Sequence, residues 1–149
     1  MQNWLCKEFN ELSTEELYSI LQLRTEIFVV EQNCVFQDMD GKDENAYHLM
    51  CYEDDLLIAY TRLLPAGKSY RECSIGRVVT KKIKRGTGIG KELMAISIEY
   101  CYRLFGNSPI RIGAQLYLEK FYSSFGFRKE SDIYIEDGIQ HIEMVLSPS

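Results

Sequence analysis

Arg85-Gly86-Thr87-Gly88-Ile89-Gly90-Lys91 separates an apolar run, Ile75 to Val79, from a long segment whose apolar residues recur at helical spacing. A strand, a glycine turn and a helix in that order build an anion cradle. Glycines let consecutive backbone N–H groups converge without Cβ obstruction, and the following helix adds the partial positive charge of its N-terminus. A phosphate or pyrophosphate suits such a turn. A Walker loop would need glycine where Arg85 stands and Ser or Thr where Glu92 follows Lys91. A dinucleotide fingerprint, G-x-G-x-x-G, fits poorly because Lys91 occupies its third glycine position. The spacing that remains, [QR]-x-x-G-x-[GA], is met by Arg85, Gly88 and Gly90.

Charge supports an anionic ligand at this turn. The chain carries a net charge of −5, with a pI near 5.1, yet Lys81, Lys82, Lys84, Arg85 and Lys91 cluster around the glycines. Such a cluster focuses an anion-attracting field on an otherwise acidic molecule. A solvated basic loop is the plain alternative. Nucleic acid is not an expected partner, since it demands a broad basic face rather than one short cluster.

The 149 residues, 46% of them hydrophobic, suit a single domain spanning 1–149 with one sizeable core. No apolar run reaches the roughly 18 residues that cross a bilayer, and Met1 to Glu8 lack the charged-then-apolar pattern of a signal peptide. No membrane association and a cytoplasmic location are expected. Five cysteines, at 6, 34, 51, 73 and 101, show no CxxC spacing and read as reduced thiols.

Along the chain, Trp4 to Phe9 reads as a strand, and Ser13 with Glu16 as a capping box opening a helix, flanked by Leu12 and Leu17. Helical spacing continues into Phe28-Val29-Val30-Glu31-Gln32, where Val29 and Val30 equally suit an extended chain. After an Asp- and Gly-rich loop, 37–45, two strands are expected at 47–52 and 56–64 around Asp54-Asp55, and a third at 74–80. Ile89 to Phe105 predicts a long, largely buried helix stopped by Gly106. A strand at 110–114, a helix at 116–125 and a hairpin of 127–136 with 140–146 around Asp137-Gly138 complete the reading.

This order, β-α-β-β-β-α-β-α-β-β with the glycine loop after the fourth strand, resembles the GNAT family of N-acetyltransferases nearly end to end. A second motif, Phe121-Tyr122-Ser123-Ser124-Phe125-Gly126-Phe127, matches that family's tyrosine placed four residues before a Gly-Phe pair. Phe28 to Gln32, Asp40-Gly41, Arg62 to Pro65 and Ile75 to Val79 look more narrowly like its ElaA branch. The resemblance implies an α/β, acyl-CoA N-acyltransferase fold: a central mixed, mostly antiparallel twisted sheet flanked by helices. It implies acetyl-CoA as acyl donor, no metal, an amine acceptor, and direct attack in a ternary complex. Edge strands in such folds often pair, which is the one pointer to a homodimer.

Under that resemblance, Arg85, Gly86, Thr87, Gly88, Ile89, Gly90 and Lys91 would hold the pyrophosphate, and backbone N–H groups at Val78 and Val79 would polarise the thioester carbonyl. Gln115 stands where the family often has Asn and keeps an amide donor with longer reach. Tyr122 resembles the general acid, since a phenol of pKa about 10 is protonated at neutral pH; without the motif it reads as a core aromatic. A base is also required, because a protonated amine cannot attack a thioester. Glu72 shares the alternation of Ser74, Gly76 and Val78 and is the first choice. Glu31 is the second: it follows an apolar stretch containing Phe28 that should lead into the acceptor cleft. A solvated surface glutamate is the duller reading of both. His48, on an apolar strand, has the intrinsic pKa for proton transfer but also fits a satisfied core histidine. Arg62 and Arg77 interrupt apolar strands, which suggests a bound carboxylate, internal or in the acceptor.

Two metal readings fail on spacing. Asp38, Asp40 and Asp43 resemble a calcium loop, but Lys42 and Asp43 occupy positions that need an oxygen ligand and a glycine. Cys34, His48 and Cys51 match no compact zinc site. The function that the resemblance implies is acetyl transfer from acetyl-CoA to a primary amine. The alternatives are a catalytically silent CoA-binding sensor or protein-interaction module and a nucleotide-phosphate binder.

Overall fold

The computed structural model describes residues 1–149. β1 (Gln2–Glu8) is followed by a short 3₁₀ turn and α1 (Thr14–Arg24). Ser13 caps α1: its hydroxyl accepts from the Glu16 amide at 3.1 Å, and the Glu16 carboxylate accepts from the Ser13 amide at 2.8 Å. Such a cap is worth about 1 kcal/mol. α1 passes directly into a π-helical segment, Thr25–Glu31. Val29 and Val30 are therefore helical, not extended, with Ile27 of the same turn packed into the core beside Ile20 and Leu23. Wide turns of this kind concentrate at functional sites.

The meander β2 (Tyr47–Glu53), β3 (Leu56–Leu64) and β4 (Cys73–Thr80) follows, then α2 (Ile89–Phe105), β5 (Ile110–Gln115) and α3 (Glu119–Ser123). The helix expected over 116–125 is shorter than its pattern: Leu116–Leu118 form a 3₁₀ turn and α3 covers only five residues. The closing hairpin also differs. Its first arm is split into β6 (Arg128–Lys129) and β7 (Tyr134–Glu136), both antiparallel to β8 (Ile139–Leu146). The split falls where Ser131 Oγ, not a backbone carbonyl, accepts from the Glu143 amide at 2.8 Å. Asp137 and Gly138 both have positive φ, 50° and 78°, as a two-residue type I′ turn requires.

All strands join one sheet in the order β1-β2-β3-β4-β5-β8-β6, with β7 also on β8. Every pairing is antiparallel except β4 with β5. Strand alternation divides the core between two faces. Met50, Tyr60 and Val79 pack against α1, whereas Leu49, Cys51 and Ala59 pack against Ile89 and Leu93 of α2. A larger cluster joins Met94 and Cys101 of α2 to Ile110, Ile112, Met144 and Tyr122.

Two departures from regular pairing place the site. On β4, Tyr60 faces Val79 while Arg62 faces Gly76, so Arg77 and Val78 together oppose Thr61. This is a β-bulge, with Arg77 at φ 50°, and it re-aims the strand beyond it. The parallel β4–β5 ladder, for its part, contains only the pairs Cys73–Ile110 and Ser74–Arg111. Beyond them the strands diverge.

Candidate active site in the cleft between the diverging strands

A cleft of about 1140 Å³ opens in the gap, walled by Ile75 to Thr80 on one side and Ile112, Gly113 and Gln115 on the other. Since β4 and β5 no longer pair here, each presents an unpaired backbone edge to the cavity. At one end lie Arg85 and Gly90 of the glycine turn, and farther along are Gln115, Phe121 and Tyr122. Tyr70, Tyr134, Glu136, His141 and Glu143 also line the cleft, with His141 directly across the β5–β8 ladder from Gln115.

The glycine turn has the geometry of an anion cradle. Gly86 and Gly88 take positive φ, 81° and 87°, and Gly88 is the N-cap of α2. The first α2 hydrogen bond runs from the Glu92 amide to the Gly88 carbonyl, so the amides before it have no partner within the helix. Thr87 Oγ donates to the Lys84 carbonyl and braces the turn. The basic cluster is less free than its sequence implies. Lys81 pairs with Glu26, Lys84 with Glu53 and Arg85 with Glu31, leaving Lys82 and Lys91 of the five as exposed, uncommitted cations.

Tyr122 lines the cleft yet is only 5% exposed. Burial, with a smaller contribution from Tyr117, pushes its phenol well above the ordinary value, which keeps it protonated at neutral pH. Edge-on contacts with Phe121 and Phe127 fix its ring. Gln115 pairs with Gln32, the residue closing the π-helical turn, through amide contacts of 3.3 and 3.5 Å. Val78, within the bulge, and Val79, just past it, both border the cleft.

Other expected residues are placed elsewhere. Glu72 does not border the cleft. It meets Arg111 bidentately, Nε–Oε1 at 3.0 Å and Nη2–Oε2 at 3.1 Å, and that pairing lowers its carboxyl further. A carboxylate held ionised by a guanidinium is a poor proton acceptor, so the position expected to supply the base is instead an ion-pair partner of Arg111 outside the cleft. Glu31 does border the cleft, but at the glycine-turn end, paired with Arg85. His48 is fully buried, its Nε2 donating to the Asp43 carbonyl at 2.9 Å and its Nδ1 accepting from the Tyr60 hydroxyl at 2.6 Å. Burial lowers its pKa, so it is a neutral core histidine and cannot contact an acceptor. Phe28 does line the cleft.

Arg62 and Arg77 also border the cleft, but their charges are committed to internal carboxylates. Arg62 binds Asp40 through two contacts of 2.8 Å and Asp43 at 3.0 Å; Arg77 binds Asp38 at 2.8 Å. Arg24, fully buried on α1, completes the set with Asp38 at 2.9 Å and Asp43 at 2.7 Å. Three arginines thus clasp the three aspartates whose spacing suggests calcium. Burial alone would raise the Asp40 and Asp43 carboxyls, but hydrogen bonds and charge from the arginines hold both below the usual range. The clasp fixes the 37–45 loop, part of which walls the cleft.

Sequence reasoning missed the far wall. His141 faces Gln115 on β5 and Tyr134 on β7, and its ring stacks on Tyr134 at 5.7 Å and 26°. That pairing was available by counting outward from the Asp137-Gly138 turn. Gly113 is tight for a different reason: a Cβ there would lie 2.8 Å from the Tyr70 hydroxyl and 3.0 Å from that of Tyr134. Tyr70 sits in an irregular segment without periodicity, so nothing in the sequence marks it.

A diverging parallel strand pair, a bulged fourth strand and a glycine cradle capping the next helix define an acyl-CoA N-acyltransferase fold. An acetyltransferase (GNAT) domain model matches residues 10–148. The chain therefore belongs to the GNAT family. It is 41% identical to protein ElaA of Escherichia coli strain K12 over 146 residues, covering 97% of this chain and 95% of that one. The crystal structure of E. coli ElaA superposes with a TM-score of 0.92 at 40% identity, covering 99% of this chain and all of that chain. An acyl-CoA N-acyltransferase from Pseudomonas aeruginosa gives a TM-score of 0.94 at 40% identity, again covering 99% and 100%.

Proposed function

We propose that this protein transfers an acetyl group from acetyl-CoA to a primary amine by direct attack in a ternary complex, as a cytoplasmic enzyme of one domain. The observation that carries this reading is the parallel ladder that stops after two pairs while both strands continue. The exposed backbone edges suit an extended, amide-bearing arm laid between them, and the glycine turn borders the same cleft. Amides between Gly86 and Lys91 would hold the pyrophosphate, with Lys82 and Lys91 adding charge. N–H groups at Val78 and Val79 would meet the thioester carbonyl, where donors aimed at developing negative charge accelerate acyl transfer. Tyr122, kept protonated by burial, would supply the departing sulfur with its proton. Gln115, positioned by Gln32, would donate to the same arm. No helix is long and apolar enough to cross a membrane.

The rival reading, a CoA-binding sensor without catalysis, draws on Glu72 and Glu31 both being ion-paired. Two measurements separate them. Calorimetry should show binding of acetyl-CoA and not of ATP; the reverse would make the cradle a nucleotide site. A screen following free thiol release from acetyl-CoA should respond to added amines. Tight acetyl-CoA binding with no release across alkyl, aryl and peptide amines would establish the sensor.

A further inference from the structure

We infer that His141 is the general base of this site, an assignment resting on the acetyl-transfer reading above. His141 is 7% exposed and borders the cleft. Its Nδ1 lies 2.8 Å from the Ile139 carbonyl oxygen. A carbonyl only accepts, so Nδ1 carries the hydrogen, and in the neutral ring Nε2 holds the lone pair. Nε2 is the nitrogen that has no hydrogen-bond partner, and the Glu136 carboxylate stands 3.9 Å from it. This is the arrangement of an oriented base: one nitrogen fixed by a backbone acceptor, the other free, and a carboxylate placed to steady the imidazolium once it forms. The ring is held flat against Tyr134, and directly across the ladder stands Gln115, next to the strand gap.

The surrounding wall suits an ammonium. Tyr70 and Tyr134 direct their hydroxyls over Gly113, whose missing side chain leaves them room. Glu143 shares Arg111 through one oxygen, at 2.8 Å, and itself borders the cleft. Aromatic faces with carboxylates beside them attract a cation before its proton is removed.

The proton balance closes. The acceptor arrives as R–NH₃⁺ and gives one proton to His141 Nε2. The freed nitrogen forms the C–N bond as the C–S bond breaks, and the sulfur takes the Tyr122 hydroxyl proton. The nitrogen's second proton restores Tyr122, and the His141 proton passes to water. The products are the amide, the thiol of coenzyme A and one proton. No oxidant or metal is needed.

The two histidines of the chain provide an internal control, because His48 donates from Nε2 and His141 from Nδ1. Nitrogen NMR of the wild-type protein should show opposite neutral tautomers for the two rings. An Nε2–H tautomer at His141 would overturn the assignment without any activity assay. In the second arm His141→Asn keeps a donor for the Ile139 carbonyl and removes the base. With putrescine and phenethylamine as probe amines, kcat/KM should fall about 10²-fold or more near neutral pH, with acetyl-CoA affinity unchanged. The deficit should shrink at alkaline pH, where the amine deprotonates unaided, and added imidazole should restore turnover. The groups facing the ring are Tyr134 and Glu136 from β7 and Gln115 from β5. Loss by an equal factor at every pH, or no loss, overturns the assignment. Failure of acetyl-CoA to bind the wild type, or no thiol release with either probe, would overturn the acetyl-transfer reading and the base assignment with it, whereas an Nε2–H tautomer or a pH-independent loss in an active enzyme overturns the His141 assignment alone.

Discussion

Asp43→Ala tests whether the arginine–aspartate clasp holds the cleft wall. In the native protein Arg24 and Arg62, 0% and 3% exposed, share the Asp43 carboxylate, with contacts of 2.7, 3.0 and 3.3 Å. Removing it leaves three guanidiniums facing two carboxylates. Arg24 retains only Asp38, which it already shares with Arg77. Breaking a buried ion pair by deleting one partner costs about 3–5 kcal/mol, because the remaining charge is desolvated without compensation. At about 2–4 °C per kcal/mol for a chain of this size, thermal unfolding should shift down by roughly 6–20 °C at pH 7. The proper control is Glu99→Gln, which removes the exposed Arg103–Glu99 pair of α2 and should cost under about 1 kcal/mol. The pH dependence has a definite sign. The folded Asp40 and Asp43 carboxyls lie below their unfolded value, so their contribution is complete above the unfolded pKa of about 3.9 and is lost as pH falls through the lower folded values. The stability gap between wild type and variant should narrow as pH is taken from 7 to below 4. Denaturant unfolding at several pH values reads both quantities. A loss no larger than that of Glu99→Gln, or a gap that widens in acid, refutes the clasp as a load on the folded state.

Tyr122→Phe should lower turnover by about 10²-fold while acetyl-CoA affinity by calorimetry stays unchanged; equal turnover would remove the phenol from the reaction. Gly88→Leu forces a side chain into φ 87° at the N-cap of α2, a conformational cost of about 1–2 kcal/mol. No atom lies within 4 Å of the added Cβ, so the protein should fold and lose acetyl-CoA affinity by roughly tenfold or more, and undiminished binding would contradict the cradle. Glu72→Gln should keep turnover within a few-fold of wild type, since its partner is Arg111 and not the cleft; a pH-dependent collapse of kcat/KM would reinstate it as the base.

Features decided by short-range chemistry were legible in the sequence, and those decided by strand pairing were not. Ser13 and Glu16 announce their cap because both bonds close within four residues. The glycine turn's conformation is legible for the same reason: Gly86 and Gly88 adopt positive φ within a strand–turn–helix unit that needs no distant partner. Glu72 illustrates the limit. Its alternation with Ser74, Gly76 and Val78 is genuine, but Arg111 lies 39 positions away, and only the second of the two parallel β4–β5 pairs brings the two together. The basic cluster shows the same limit, since Glu26, Glu31 and Glu53 reach it from other elements and pair with three of its five cations.

The bulge shows why local pattern cannot locate the wall of this cleft. A strand read by alternation sends Arg77 and Val79 to one face and Gly76 and Val78 to the other, yet the extra residue opposite Thr61 resets that register midway along β4. The guanidinium of Arg77 is thereby free to close over the Phe36 ring at 6.0 Å and to bind Asp38, while Val78 and Val79 come to the edge of the gap. One inserted residue thus fastens the acidic loop and re-aims the backbone that would meet the thioester. The two effects are linked. A variant that deletes Val78, restoring continuous β3–β4 pairing, should lose both the loop's anchorage and acetyl transfer. Loosening the loop alone through Asp43→Ala should leave the backbone at Val79 in place and spare acetyl-CoA binding.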